Sequence, residues 1–321
     1  MQTFDTLSGI FNERFSKNHF NISPESLYEP CNYFLSLGGK RVRPVICLMG
    51  HELFEPIGED AWNAATAIEL FHNFTLVHDD IMDDAALRRG QQTVHSKYSS
   101  STALLAGDVM MVAAYQYLSK IKVNTLKPIL QIFNKTAIEV CEGQQLDIDF
   151  EKKDRVSLKD YIQMITLKTS VLLAASIKIG AVLGGASEGN CNHLYEFGRN
   201  LGIAFQIQDD YLDAFGNPEK FGKEPGGDIR QNKKTALLVY AMENSTEKGK
   251  KELQDLLHTD PESKVANVLQ FFRNCGVDAW AKELKQQYMD TALFHLEETA
   301  VISSRKKNLT DLAEFLVQRD Y

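Results

Sequence analysis

Residues 62–84 read WNAATAIELFHNFTLVHDDIMDD. Apolar side chains recur three and four residues apart through Ala64, Ala65, Ala67, Ile68, Leu70, Phe71, Phe74, Leu76 and Val77, which is the period of a helix and not of a strand. They run round much of the circumference, so the helix is expected at the centre of an all-α fold. Its end has the opposite character. Asp79, Asp80, Asp83 and Asp84 set carboxylate over carboxylate one turn apart, at the negative end of the helix dipole. Each such like-charge pair costs about 0.2–0.5 kcal/mol, so a counter-charge is expected there. Either water solvates the acidic end, or the carboxylates receive divalent cations, which favour oxygen ligands.

The helical period extends outward in both directions. Phe4, Leu7, Phe11 and Phe15 mark a first amphipathic helix, and Ser23-Pro24 reads as the cap and start of a second that runs to about Leu37. Further helices are expected over 102–120, 126–150, 158–169 and 191–215, and through 236–321. No shift in composition separates a second domain, so one domain over 1–321 is expected. The longest apolar stretch, 171–186, is broken by Ser176, Lys178 and glycines. It falls short of the roughly 18 continuous apolar residues of a membrane span and reads as a buried helix, so no transmembrane segment is expected.

With 321 residues, 44% hydrophobic and 24% charged, the composition is that of a soluble globular chain. A net charge of −8 offers no bulk attraction to nucleic acid or anionic membranes. Residues 1–20 have no secretory pattern. The five cysteines, Cys31, Cys47, Cys141, Cys191 and Cys275, lack disulfide or zinc spacing and read as buried thiols of a reducing, cytoplasmic compartment.

Local positive charge follows the second helix, where Gly38-Gly39 breaks the chain before Lys40-Arg41-Val42-Arg43-Pro44. Such a loop is either simply solvated or a site for a many-oxygened anion at a helix start, with Pro44 suited to the helix opening. Far downstream, Phe205-Gln206-Ile207-Gln208-Asp209-Asp210-Tyr211-Leu212-Asp213 repeats the acidic pattern late in a second greasy helix. Two such endings are hard to explain as solvated surface. Brought to a common cavity mouth, their carboxylates would be tolerable only with several hard cations, and Mg²⁺ completes its shell with water and phosphate oxygens. A Mg²⁺–diphosphate is therefore the expected ligand. The glycine-rich stretch 221–229, with Lys220, Lys223, Lys233 and Lys234 around it, reads as a lid over phosphates.

Together, Gly39-Lys40-Arg41-Val42-Arg43-Pro44, the two D-D-x-x-D clusters, Arg88-Arg89-Gly90, Lys168-Thr169 and Phe205-Gln206 resemble the trans-isoprenyl diphosphate synthases, or polyprenyl synthetases, from about residue 35 to 240. The resemblance implies an all-α bundle of the isoprenoid synthase type around a deep central cavity. It implies a homodimer that joins isopentenyl diphosphate to an allylic diphosphate (dimethylallyl, geranyl or farnesyl) with three Mg²⁺ ions. By position, Asp79, Asp80, Asp83, Asp209, Asp210 and Asp213 would be the metal ligands. Lys40, Arg43, His72 and Arg89 would hold isopentenyl diphosphate, which moves His72 from core residue to ligand. Arg88, Lys168, Thr169, Gln206, Lys223 and Lys233 would serve the allylic substrate, with Gln144 and Asp147 lining the same site. Two departures stand out. Asn232 replaces the glycine that commonly precedes the second lid lysine, which leaves Lys233 and Lys234 both open for that role. The stretch Gln318-Arg319-Asp320-Tyr321 lacks the basic tail of some relatives, so no contact is assigned there.

The residue types suit ionisation of an allylic C–O bond. Metal, Arg88, Lys168 and Lys223 would neutralise the leaving diphosphate. Thr169, Gln206 and the Lys168 carbonyl would face the allylic cation, and the released diphosphate would take the proton. Asp79, Asp80, Asp83 and Asp209 complete the expected catalytic set. At 1.5 Å per residue, Thr75 lies about 6 Å and Phe71 about 12 Å below Asp79, with Phe74 alongside. Thr75 leaves the first turn open and the phenyl rings floor it, so the product is expected to be farnesyl (C15) or geranylgeranyl (C20) diphosphate. An aromatic residue five places before an uninterrupted motif resembles the geranylgeranyl makers. Two other readings remain: a class I terpene cyclase, whose second motif usually carries Asn, Ser or Thr, and Glu; and a noncatalytic partner subunit, which would have lost aspartates or basic residues.

Overall fold

The expected central helix is α4, Glu59–Met82, and it begins three residues earlier than the apolar period because Glu59 and Asp60 suit the positive end of the dipole. The computed structural model describes residues 1–17, 19–216 and 226–318, with the backbone alone at 261–262. The described chain divides into two compact units, Met1–Phe133 with Ser176–Cys191, and Asn134–Ala175 with Asn192–Tyr321.

The first unit starts with α1, Phe4–Phe15, which buries Leu7, Phe11 and Phe15 as its period requires. Next come α2, Glu25–Ser36, and α3, Val42–Glu52. The cap position of α2 is Pro24 and not Ser23, with no side-chain cap bond. α4 packs on α3 and along α6, Ser100–Leu118, with a short turn α5, Val94–Lys97, between them. A hairpin of two-residue strands, β1 (Leu87–Arg88) and β2 (Gln91–Gln92), interrupts the otherwise helical order.

α7, Val123–Glu151, continues into the second unit. There α8, Leu158–Ile165, does not stop where the sequence suggests. It passes through a five-residue π turn, Thr166–Ser170, into α9, Val171–Leu183. Taken whole, Leu158–Leu183 is long and apolar enough to cross a bilayer, but 67% of its most apolar window is buried within the protein, as a core helix requires. α10, Glu188–Phe215, carries the second acidic motif. It is followed by a turn α11, Gly227–Arg230, and by α12 (Ala236–Asn244), α13 (Glu247–Leu257), α14 (Pro261–Asn274), α15 (Val277–Glu298) and α16 (Ser303–Gln318). The core around the second motif joins Phe150, Tyr161, Ile165, Ile203, Ile207 and Val239.

All five cysteines are free thiols, but only Cys31, Cys47 and Cys191 are buried; Cys141 is exposed, on the polar side of α7. Most of the expected lid, including Lys220 and Lys223, lies outside the described residues.

Small residues in the 171–186 stretch do let backbones meet. A Cβ at Gly180 would stand 1.9 Å from the Cys47 carbonyl oxygen, and one at Gly50 would stand 2.5 Å from the Ile177 carbonyl oxygen, so α3 and α9 touch main chain to main chain. Gly9, exposed in α1, has nothing near its missing Cβ. Gly9→Ala should therefore raise stability by roughly 0.5–1 kcal/mol. Gly180→Ala should lower it by about 1–3 kcal/mol, because neither main chain can yield locally. Urea denaturation of both variants checks this, and a stabilised Gly180→Ala would refute the contact.

Candidate active site

The first motif is built by the end of α4 and the hairpin after it. Asp83 caps the helix with its amide on the Asp79 carbonyl at 2.8 Å, and Asp84 turns off it with φ 47°. The expected stacking of Asp80 under Asp84 is therefore not formed. Helix termination separates the two charges. Asp80 is 1% exposed, while Asp83 and Asp84 face solvent. Arg89 and Gly90 both have positive φ, the requirement of a tight two-residue hairpin, and this turn sends Arg88 back over the helix end. Arg88 grips the buried carboxylate, with Nε 2.8 and 2.9 Å from the two Asp80 oxygens and Nη2 2.7 Å from Oδ1. Such forked, charge-assisted bonds compensate the buried charge.

A cluster of cations lies about two to three turns below, around His72 and Glu69. Arg41, 6% exposed and left-handed at the start of α3, pairs with buried Glu69 and donates to Asn12 at 3.0 Å. Glu69 also accepts from Asn73 at 3.1 Å. This pairing pins the Gly38–Arg41 loop to α4, and Arg89 closes it by donating to the Gly38 carbonyl. Arg43 Nη1 lies 3.2 Å from His72 Nε2. Burial first, then the charges of Arg43, Arg89, Arg88 and Arg41, hold His72 well below its ordinary pKa, so it is neutral and accepts from Arg43. Arg43 Nε is buried without a hydrogen-bond partner among the described residues. Lys40 is exposed beside this group. Of the expected isopentenyl diphosphate ligands, the structure thus brings Arg43, His72 and Arg89 together. Glu69 pairs with Arg41 and Asp80 with Arg88, and the gathering of four arginines around His72 suits an anion.

Below the motif, Phe71 is 1% exposed, its ring 5.6 Å from Phe74 and 5.2 Å from Phe133, which in turn lies 5.4 Å from Tyr115. Thr75 spends its hydroxyl on the His72 carbonyl at 2.8 Å. Phe71 and Phe74 thus belong to one aromatic cluster, which Phe133 and Tyr115 extend from α7 and α6.

In the second unit the π turn shapes the site. The Val171 amide reaches back to the Thr166 carbonyl, five residues away, and the turn is clasped by glycines. A Cβ at Gly143 would lie 2.2 Å from the Lys168 amide, and one at Gly202 would lie 2.7 Å from the Ser170 Cα. π turns recur at functional sites because they re-aim side chains. Here Lys168 meets Asp147 at 2.5 Å, and the Thr169 hydroxyl donates to Gln206 at 3.2 Å. Gln206 donates on to Asp210, which also accepts from the Tyr161 hydroxyl at 2.5 Å and the Ala236 amide at 2.9 Å. Asp210 is 5% exposed, and burial pushes its pKa up to about 6. Gln144 is buried on α7, and Asp209 and Asp213 are half-buried.

The chain at 226–228 folds onto this motif. The Gly226 amide donates to the Asp213 carbonyl at 2.5 Å, and the Asp228 amide donates to the Asp213 carboxylate at 3.0 Å. Burial, then the charges of Asp213 and Asp210, raise Asp228 to about 7 against the pull of Lys233. Lys233 stands 3.8 Å from Asp228. The residue before it, Asn232, has φ 56°, a conformation open to Gly and, at some cost, Asn. That explains the departure from glycine at this position.

The carboxylates suit a hard cation. Asp228 is half-buried with Lys233 as its counter-charge, and the acidic donors here are all oxygens. As placed, no three His, Cys, Asp or Glu side chains gather into a metal-ligating group among the described residues. Tyr161, Glu69 and Asp228 are not singled out by the sequence.

Residues 24–274 match the polyprenyl synthetase family. The chain is 35% identical to the short chain isoprenyl diphosphate synthase of Methanothermobacter thermautotrophicus, covering 100% of both chains. It is 36% identical to the geranylgeranyl diphosphate synthase of Methanosarcina mazei, over 93% of this chain and 91% of that one. A solved geranylgeranyl pyrophosphate synthase superposes with a TM-score of 0.95 at 42% identity, over 99% of each chain. With its helical architecture and both acidic motifs in place, this chain belongs to the polyprenyl synthetase family.

Proposed function

We propose that this chain condenses isopentenyl diphosphate with an allylic diphosphate, in a Mg²⁺-dependent reaction, to give geranylgeranyl diphosphate. The chain is a prenyltransferase of the short-chain isoprenyl diphosphate synthase class. The observation that carries the substrate assignment is the cation cluster around neutral His72, with the buried, unpartnered Nε of Arg43 inside it. Isopentenyl diphosphate, which does not ionise in the reaction, needs cations alone, and Lys40, Arg43 and Arg89 supply them, with His72 as a neutral donor or acceptor. The matched region 24–274 takes in residues of both units.

The allylic diphosphate is assigned to Arg88, Lys168, Lys223 and Lys233, beside Gln144 and Asp147. Asp79, Asp83, Asp209 and Asp213, which are not deeply buried, would hold the Mg²⁺ ions. Bound there, Mg²⁺ supplies charge to the departing diphosphate. Asp80 and Asp210 are buried in bonds to Arg88 and Tyr161, and their role is to aim those groups. Thr169, placed by the π turn, and Gln206, carried by α10, present oxygens where an allylic cation forms. The second motif, Asp209-Asp210-x-x-Asp213, is unlike that of a terpene cyclase, and a noncatalytic subunit would not need the full set of acids and bases.

The C20 product rests on the Phe71, Phe74 and Phe133 cluster below Thr75 and on the relatives named as geranylgeranyl synthases. Free thiols support a reducing, cytoplasmic setting. Leu104 and Val112, 50% and 58% exposed on one face of α6, suit coverage by a second copy of the chain. Sedimentation should accordingly give a dimer mass, and a monomer at micromolar concentration would refute that assignment.

Asp79→Ala and Asp209→Ala should each lower kcat by at least about a hundredfold, the scale of losing a transition-state charge contact, with an unchanged circular dichroism spectrum. Near-normal turnover of labelled isopentenyl diphosphate in both variants would sink the proposal. Phe74→Ala should lengthen the product by one or more isoprene units, read by chromatography after dephosphorylation.

A further inference from the structure

His78 stands beside the first motif and has no part in the chemistry above. Its ring is wedged between α4 and α6. Nε2 donates to the Leu104 carbonyl at 3.1 Å, Asp108 lies 3.9 Å away, and the side chain is 15% exposed. This seat exists only because residue 107 is glycine. A Cβ there would lie 2.3 Å from Nε2 and 2.4 Å from Cδ2 of His78. The other side of the imidazole meets the Phe74 ring edge-on, with centroids 4.7 Å apart. Phe74 packs against the core cluster of Ala103, Ala106 and Met110 on α6 and touches Phe71.

We propose that Gly107 and His78 are positioning residues for product length: the glycine admits the imidazole to α6, and the imidazole keeps Phe74 from withdrawing out of the chain's path. The inference rests on the assignment of Phe74 to the floor. Residues 74 and 78 are one turn apart, so the His78 ring fills the space into which Phe74 would otherwise swing under a growing chain. The Leu104 bond fixes the ring's orientation, with the proton on Nε2 following from the carbonyl it meets. A methyl group at position 107 would have to expel the ring, since the helix backbone of α6 cannot retreat from α4.

The test compares products, because a ratio of chain lengths does not depend on how much of a variant is active. Four variants are incubated with isopentenyl diphosphate and farnesyl diphosphate: Phe74→Ala, His78→Ala, Gly107→Ala and the double variant His78→Ala/Gly107→Ala. His78→Ala and Gly107→Ala should each raise the ratio of longer to normal product by about three- to tenfold, the effect of losing one edge-on aromatic contact. Because Gly107→Ala acts by displacing His78, it should add nothing in the His78→Ala background. His78→Asn, which keeps a donor but loses the ring, should behave as His78→Ala does.

A lengthened product from Phe74→Ala with unchanged ratios from His78→Ala and Gly107→Ala would overturn the inference and leave the floor standing. Additive effects in the double variant would likewise overturn it, since the glycine would then act by another route. An unchanged product from Phe74→Ala would overturn the floor, and the inference with it.

Discussion

A helix that is core along most of its length must end in four carboxylates, and this constraint orders the first unit. α4 cannot be both apolar and acidic in one environment. The chain resolves the conflict by stopping the helix at Met82, turning Asp84 left-handed into solvent and bringing Arg88 back onto Asp80. The hairpin that returns Arg88 also delivers Arg89 to the Gly38 carbonyl, and the Arg41–Glu69 pair fastens the same loop from below. Removing one member of such a buried pair would cost about 3–5 kcal/mol, because the other charge would be stranded. Structure and charge placement are therefore one problem here, and the cations gathered around His72 are its product.

The second unit solves a similar problem with backbone geometry. Asp210 is buried against Tyr161 and the Ala236 amide, while Thr169, aimed by a π turn held between Gly143 and Gly202, donates to Gln206 on α10. An ordinary helical register would rotate Thr169 by a large angle, since one inserted residue shifts each following side chain by about 100°. The extra residue is tolerated because glycines on two flanking helices leave room for it. Rigid helices thus carry the polar atoms, as accurate placement of a reacting group requires.

Much of this was legible in the residues. The 3.6-residue period announced α1, α4 and α10, and the acidic motifs stand where that period put them, at the ends of α4 and α10. Three features were not. The hairpin over 87–92 is too short to leave a strand period, although Arg89-Gly90 is a turn signal in hindsight. The π turn lies inside a stretch whose apolar pattern reads as two helices separated by a break. Glu69, Tyr161 and Asp228 owe their importance to partners at 28, 49 and 15 residues' separation, and such pairings exist only once the chain is folded. Asn232 is the converse case, a departure from pattern that the left-handed backbone makes intelligible.

The central claim is that both acidic motifs act through Mg²⁺ on one allylic diphosphate. It is tested most directly by a crystal structure of the protein with Mg²⁺, isopentenyl diphosphate and an unreactive allylic thiolodiphosphate. The account predicts Mg²⁺ ions joining the thiolodiphosphate to Asp79 and Asp83 and to Asp209, with isopentenyl diphosphate on Arg43 and Arg89. A thiolodiphosphate held without metal, or bound by metal at only one of the two motifs, would contradict it.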